Sequence, residues 1–120
     1  MEVILDTNFI ISCLKRKIDF ISELEGMGFR ILVPLEVMQE LKDLRLEKGH
    51  AERGIIELAL QIVEENGKKT RLGNRTVDEG LIEKGKAGCY IATLDRAVQR
   101  AVDNTVLINN SRNSLEIVRK

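Results

Sequence analysis

Four acidic residues stand where chemistry is easy to build. Asp6 ends the apolar run Val3-Ile4-Leu5, and Asp95 comes two residues after the run Cys89 to Thr93. Glu40 lies in LEVMQELKDL, three residues after Val37 and four before Leu44, so a helix sets it beside an apolar stripe. Asp78 sits inside Thr76-Val77-Asp78-Glu79, a capping-box pattern that employs Thr76 and Glu79 and leaves Asp78 over. Carboxylates gathered in one crevice repel each other and lose hydration, and a cation removes that penalty. An all-oxygen ligand set favours Mg²⁺ or Mn²⁺. Such an ion binds a scissile phosphate and lowers the pKa of an attacking water, which suits phosphodiester hydrolysis.

Each acid also has a plainer reading. An Asp between a strand and a helix is often only an N-cap, and that alone accounts for Asp95. Asp6 is followed by Thr7 and Asn8, themselves good caps, so Asp6 is expected to be free for another partner. A Glu at the edge of a stripe can snorkel to water. Asp78 in a first helical turn complements the helix dipole. The case rests on the set, not on any single member.

The elements that must position these acids follow from periodicity. Short continuous apolar runs at 3–6, 30–33, 89–93 and 106–108, with a weaker one at 68–72, read as strands covered on both faces. Helical patterns fill Phe9 to Leu14, Ile18 to Leu24, Leu35 to Glu47, Ala51 to Glu65, Thr76 to Lys86 and Arg96 to Val102. Gly26, Gly28, Gly49, Gly67 and Gly88 fall at helix ends. The alternation predicts an α/β fold, a three-layer α/β/α sandwich around a parallel five-stranded sheet. Ser114 to Arg119 is either a further strand or a tail. In such sheets ligands bind beyond the carboxyl ends of the strands, where Asp6 and Asp95 fall.

Composition narrows the classes. The 120 residues read as a single domain, with 43% hydrophobic and 32% charged residues. The short apolar runs exclude a membrane-spanning helix, and no signal-peptide pattern opens the chain, so the expected location is cytoplasmic. Lys+Arg and Asp+Glu balance at 19 each, so any nucleic-acid surface must come from local charge segregation. Cys13 and Cys89 form no ligand pattern and read as reduced thiols, and His50, the single histidine, reads as a solvated loop residue. Aromatics at 3% argue against a base-stacking platform.

LDTNFI at 5–10, VMQEL at 37–41, VDEGLI at 77–82 and YIATLD at 90–95 resemble, in order, the four acidic motifs of PIN-domain nucleases. The stretches LDTNFIISCLKRKIDFI and CYIATLDRAVQRAV are most similar to the PIN proteins of small-subunit ribosomal RNA processing, and less so to the toxin type. The resemblance implies an Mg²⁺- or Mn²⁺-dependent endoribonuclease, with RNA as partner and a possible homodimer. By motif, Asp6, Glu40, Asp78 and Asp95 match the acidic quartet, Thr93 the motif hydroxyl and Asn8 the polar neighbour of the first acid. Glu79 is an alternative third acid. Leu94 and Ala97-Val98 depart from the usual residues, which leaves room for an RNA-binding member with little turnover.

Basic residues cluster at Lys15-Arg16-Lys17, around the third strand at Lys68, Lys69, Arg71 and Arg75, and at Arg96 and Arg100. Arg96 is the best placed to meet a phosphate near the acids, with Arg100 a turn away. A phosphotransfer protein with a similar sheet is disfavoured, because Asp6-Thr7-Asn8 lacks the DxD spacing of aspartyl phosphatases.

Overall fold

The computed structural model describes residues 1–73 and 76–120. The chain runs β1 (Glu2–Leu5), α1 (Thr7–Lys15), α2 (Phe20–Gly26), β2 (Arg30–Pro34), α3 (Leu35–Glu47) and α4 (His50–Asn66). It continues through β3 (Lys68–Thr70), α5 (Val77–Lys86), β4 (Tyr90–Ala92), α6 (Arg96–Ala101), β5 (Asn104–Asn109) and β6 (Ser114–Arg119). Strand side chains alternate between two cores. Val3, Leu5, Ile31, Val33, Tyr90 and Ala92 pack with the first four helices. Ile4, Leu32 and Ile91 face the opposite way, onto Leu81, Val98 and Val102. That is why the strand sequences are continuously apolar: both faces are covered.

The sheet order is β3-β2-β1-β4-β5-β6. The chain leaves β1 outward to β2 and β3, then returns to the other side for β4 and β5. The strand order therefore reverses between β1 and β4, where open α/β sheets form a crevice. The parallel register pairs Leu5 with Ala92, so Asp6 and Thr93 leave the sheet side by side.

Five strands are parallel as expected, and the sheet gains a sixth. Ser114–Arg119 is β6, antiparallel to β5, the alternative that the sequence left open. The connecting turn places Asn113 at φ 51, a left-handed position that Asn tolerates. Element ends also shift. α1 opens at Thr7, two residues before the expected Phe9, because Asp6 caps it. α2 opens at Phe20 under an Asp19 cap, not at Ile18. β3 stops at Thr70, because the N–H groups of Leu72 and Gly73 turn to the Glu36 carboxylate at 3.2 Å. His50 is no loop residue; it opens α4, exposed. Arg75 lies outside the described residues. No helix among the described residues is long and apolar enough to cross a membrane.

Gly80 and Gly85 look like helix weakeners in the sequence, and packing gives their reason. A Cβ on Gly80 would come within 2.6 Å of the Leu72 Cβ, and one on Gly85 within 2.8 Å of the Val102 Cβ. α5 can approach its neighbours only without those methyls. Gly54 of α4 has nothing within 4 Å. Gly85→Ala is expected to destabilise by about 1–3 kcal/mol through overpacking. Gly54→Ala is expected to stabilise by roughly 0.5–1 kcal/mol through helix propensity alone. Urea unfolding of the two variants checks the pair, and equal effects would contradict the packing account.

Candidate active site

The site is built on the β1–β4 seam. Thr93 is wholly buried just past β4. Its hydroxyl donates to Asp6 Oδ2 at 2.8 Å and accepts from the Asp95 backbone N–H at 3.1 Å. One side chain thus ties the ends of two neighbouring strands together. The other Asp6 oxygen accepts from Thr7 N–H at 2.8 Å, and Asp6 is the N-cap of α1. The expectation that Thr7 or Asn8 would relieve Asp6 of capping is therefore corrected: both lie inside the helix. Asp95 also caps its helix, with Oδ1 accepting from Ala97 N–H at 2.8 Å and Val98 N–H at 3.2 Å.

The other two acids arrive from helices. α3 follows directly on β2 through Pro34, whose fixed φ of −62° suits a helix entry. The first helical turn carries Glu36, which holds the Leu72–Gly73 backbone; the next carries Glu40. The Thr7 hydroxyl, itself buried, donates to Glu40 Oε1 at 3.2 Å and so couples α1 to α3. Thr76 caps α5 by accepting from Glu79 N–H at 3.1 Å, which leaves Asp78 in the first turn facing the cleft. Asp6, Glu40, Asp78 and Asp95 all line one open cleft of about 700 Å³ with Asn8 and Lys15. Glu79 does not line it, so between the two sequence candidates for the third acid the cleft takes Asp78.

The electrostatics reflect the crowding. Loss of hydration, then the charges of Asp95 and Asp6 and a hydrogen bond shared with Asp95, hold the Asp78 carboxyl above its ordinary pKa of 3.8. Loss of hydration also raises Glu40; the bond from Thr7 opposes this, while the charges of Asp6, Asp78 and Asp43 add to it. Glu36 goes the other way. Burial works against ionisation there, but N–H donors of Glu36 itself, Gly73 and Leu72, with the charge of Arg71, bring its pKa down. Glu36 is thus a settled structural anion, while Glu40 and Asp78 are unsettled ones.

Among the described residues, no three acids, histidines or cysteines converge into a ready-made ion cage. The donors fit a looser mode of holding. Mg²⁺ sheds water reluctantly, keeps several waters, and is held through one or two carboxylates. Asp6, Asp78 and Asp95, with Glu40 from α3, supply oxygen donors of that kind, and no histidine or cysteine lines the cleft.

A family model described as PIN domain matches residues 3–116. The chain belongs to the PIN-domain family. A solved structure of the PIN domain endonuclease Utp24 superposes with a TM-score of 0.76 at 22% identity, covering 99% of this chain and 93% of that one. No match is found among curated protein sequences.

Within this PIN domain the sequence-predicted residues separate. Asn8 lines the acidic cleft, exposed. Arg96 lines an adjoining cavity, and Arg100 lines neither. Thr93, matched above to the motif hydroxyl, has no exposed surface, and its hydroxyl both donates and accepts within the protein; it positions Asp6 and Asp95. Sequence reasoning missed Thr7 as the partner of Glu40 and Glu36 as the latch on the segment before α5. Both depend on segments meeting across more than 30 positions, a pairing that local patterns do not carry. Burial, then the charge of Glu23, pushes the Cys13 thiol up to about 12, so it stays an unreactive core thiol.

Two outcomes are expected. Thr93→Val leaves the Asp95 N–H without its acceptor and should cost about 1–3 kcal/mol in urea unfolding, while Thr93→Ser should keep most of the stability. For Asp78, the raised folded-state pKa means that the folded protein binds its proton more tightly than the unfolded chain. Ionised Asp78 therefore opposes folding, increasingly as pH rises through the window just above 3.8. Without metal, Asp78→Asn should melt slightly higher than wild type at neutral pH, by no more than roughly 0.5 kcal/mol at so exposed a group. The advantage should vanish in acid, where Asp78 is neutral in both states.

Proposed function

We propose that this PIN domain is a divalent-metal-dependent endoribonuclease acting in RNA processing. The observation that carries the reading is the convergence of four carboxylates, faced by one lysine, on a cleft at the sheet's switch point. Loss of hydration, and then the charges of neighbouring acids, raises Glu40 and Asp78, and a cation nearby would relieve both costs. Likeness to a PIN domain endonuclease, and the motifs shared with the ribosomal RNA-processing branch, support RNA as the substrate class.

In this reading Asp6, Asp78 and Asp95 hold Mg²⁺ or Mn²⁺, and Glu40 completes the set from α3. When bound, the ion polarises the scissile phosphate and makes a water more acidic. The chain's own residues supply the rest. Thr93 fixes Asp6 and Asp95 in orientation by one hydroxyl. Thr7 keeps a Glu40 oxygen directed at the cleft. Asn8 and Lys15 line the same cleft and offer an amide and a cation to phosphate oxygens.

A second reading, an RNA-binding PIN protein with little turnover, is favoured by the lack of a preformed ion cage among the described residues. Cleavage of a labelled oligoribonucleotide in Mn²⁺ separates the two. The nuclease reading expects metal-dependent cleavage that falls at least 100-fold in Asp95→Asn, a change that keeps a capping side chain while removing its charge. It also expects millimolar Mn²⁺ to raise Tm in wild type more than in Asp95→Asn. RNA binding without metal-dependent cleavage would establish the second reading.

A further inference from the structure

A second cavity of about 310 Å³ adjoins the acidic cleft. Its walls include Ser12, Arg16, Leu94, Arg96, Gln99 and Asn110. Ser12 and Leu94 belong to both cavities, so the two are one groove divided by a leucine. Their charges are opposite. The first holds four acids and one lysine; the second holds two arginines and no acid.

Neither arginine is spent on the protein. The ion pairs among the described residues are Lys48 with Glu52 and Lys69 with Glu64, both elsewhere. Two guanidinium groups lining one cavity without an acid give it a positive wall that suits an anion. The walls themselves are held. Asn113 in the β5–β6 turn donates to the Arg16 carbonyl at 2.8 Å, fixing the end of α1 against the hairpin. Gln99 donates to the Thr93 carbonyl at 2.8 Å, fixing α6 against the seam that carries Asp6 and Asp95. Arginine forks match phosphate oxygens in pairs.

Leu94 is 41% exposed at the dividing wall. A large apolar side chain between a phosphate-cleaving centre and a phosphate-binding one suits the ribose or base face of the intervening nucleotide. The second cavity, at about 310 Å³, accommodates a single phosphate with its sugar and is too small for the two backbones of a duplex, which favours one flexible strand. We infer that the Arg16–Arg96 cavity is a subsite for the phosphate next to the scissile one in single-stranded RNA, with Leu94 as the apolar divider between the two. The inference rests on the nuclease reading only for which phosphate is cut; the cavity's affinity for a single strand is independent of turnover.

The test is binding of a fluorescein-labelled single-stranded oligoribonucleotide, followed by anisotropy from 50 to 200 mM salt. An Asp78→Asn background lowers both repulsion and cleavage. Arg16→Gln with Arg96→Gln is expected to weaken single-strand binding about tenfold or more and to reduce the salt slope by about 1. Lys84→Gln with Lys86→Gln, in the last turn of α5 away from the groove, is the charge-matched control and should change affinity less than twofold. A blunt duplex of the same sequence should bind more weakly and lose little in the double variant. Equal losses in the double variant and the control, or a duplex loss as large as the single-strand loss, would overturn the subsite. The arginines are exposed or at the rim, and an unchanged melting curve excludes misfolding as the cause. The two proposals fail separately. Absence of metal-dependent cleavage with an arginine-dependent single-strand affinity sinks the nuclease and keeps the groove. Metal-dependent cleavage whose kcat/KM ignores the arginine pair keeps the nuclease and sinks the groove.

Discussion

Holding four carboxylates along one cleft, against loss of hydration and the charges of their neighbours, is the constraint around which this structure is arranged. Asp6, Glu40, Asp78 and Asp95 share a cleft with a single lysine. Left to themselves they would spread into water. Three helices start at the cleft and offer what holds them: Asp6 caps α1, Asp95 caps α6, and Asp78 stands in the first turn of α5. Helix N-termini present unpaired N–H donors and partial positive charge, which partly offset the anions. Capping and site membership are therefore one role, not competing explanations. The helices need acceptors at their starts, and the site needs anions there.

The second holding device is the register between β1 and β4. Pairing Leu5 with Ala92 sets Asp6 beside Thr93. A slip of one residue would turn Thr93 toward the opposite face, since strand side chains alternate. Register here is secured by burial on both faces: Val3, Leu5 and Ala92 belong to one core, Ile4 and Ile91 to the other. Core packing thus fixes the strand register on which the site geometry rests, and the caps made by Asp6 and Asp95 add to it.

This explains which features were legible in the sequence. Strands with two buried faces write continuous apolar runs, so their existence and the acids after them could be read directly. The motif order gave the acidic set, and the cleft brings together all four. What failed to show were contacts made by ordinary residues across long separations. Nothing local marks Thr7 as the partner of Glu40, or Glu36 as the acceptor for Leu72 and Gly73. The capping of α1 was misjudged for a related reason. Propensity ranks Asp, Asn and Thr closely at a cap, and Asp6 takes the position because β1 pairs with β4 through Leu5, which leaves Asp6 the first residue outside the sheet. The same limit left Ser114 to Arg119 open between strand and tail, because its half-exposed pattern becomes a strand only when β5 offers an edge.

The settled and unsettled carboxylates divide the work of the α3 end of the cleft. Glu36 and Glu40 lie one turn apart on the same helix. Glu36 accepts three backbone bonds from the segment before α5, and its pKa falls. Glu40 loses hydration and feels the charges of its neighbours, the single Thr7 hydroxyl does not offset this, and its pKa rises. The same side chain, a few ångströms along one helix, becomes a clamp where donors surround it and a strained anion where acceptors do. The clamp bears on the segment leading to Asp78, so the satisfied glutamate helps to hold in place the very charge that unsettles the other. Stability lost at the acids is in this way anchored to a neighbour that does not share their repulsion.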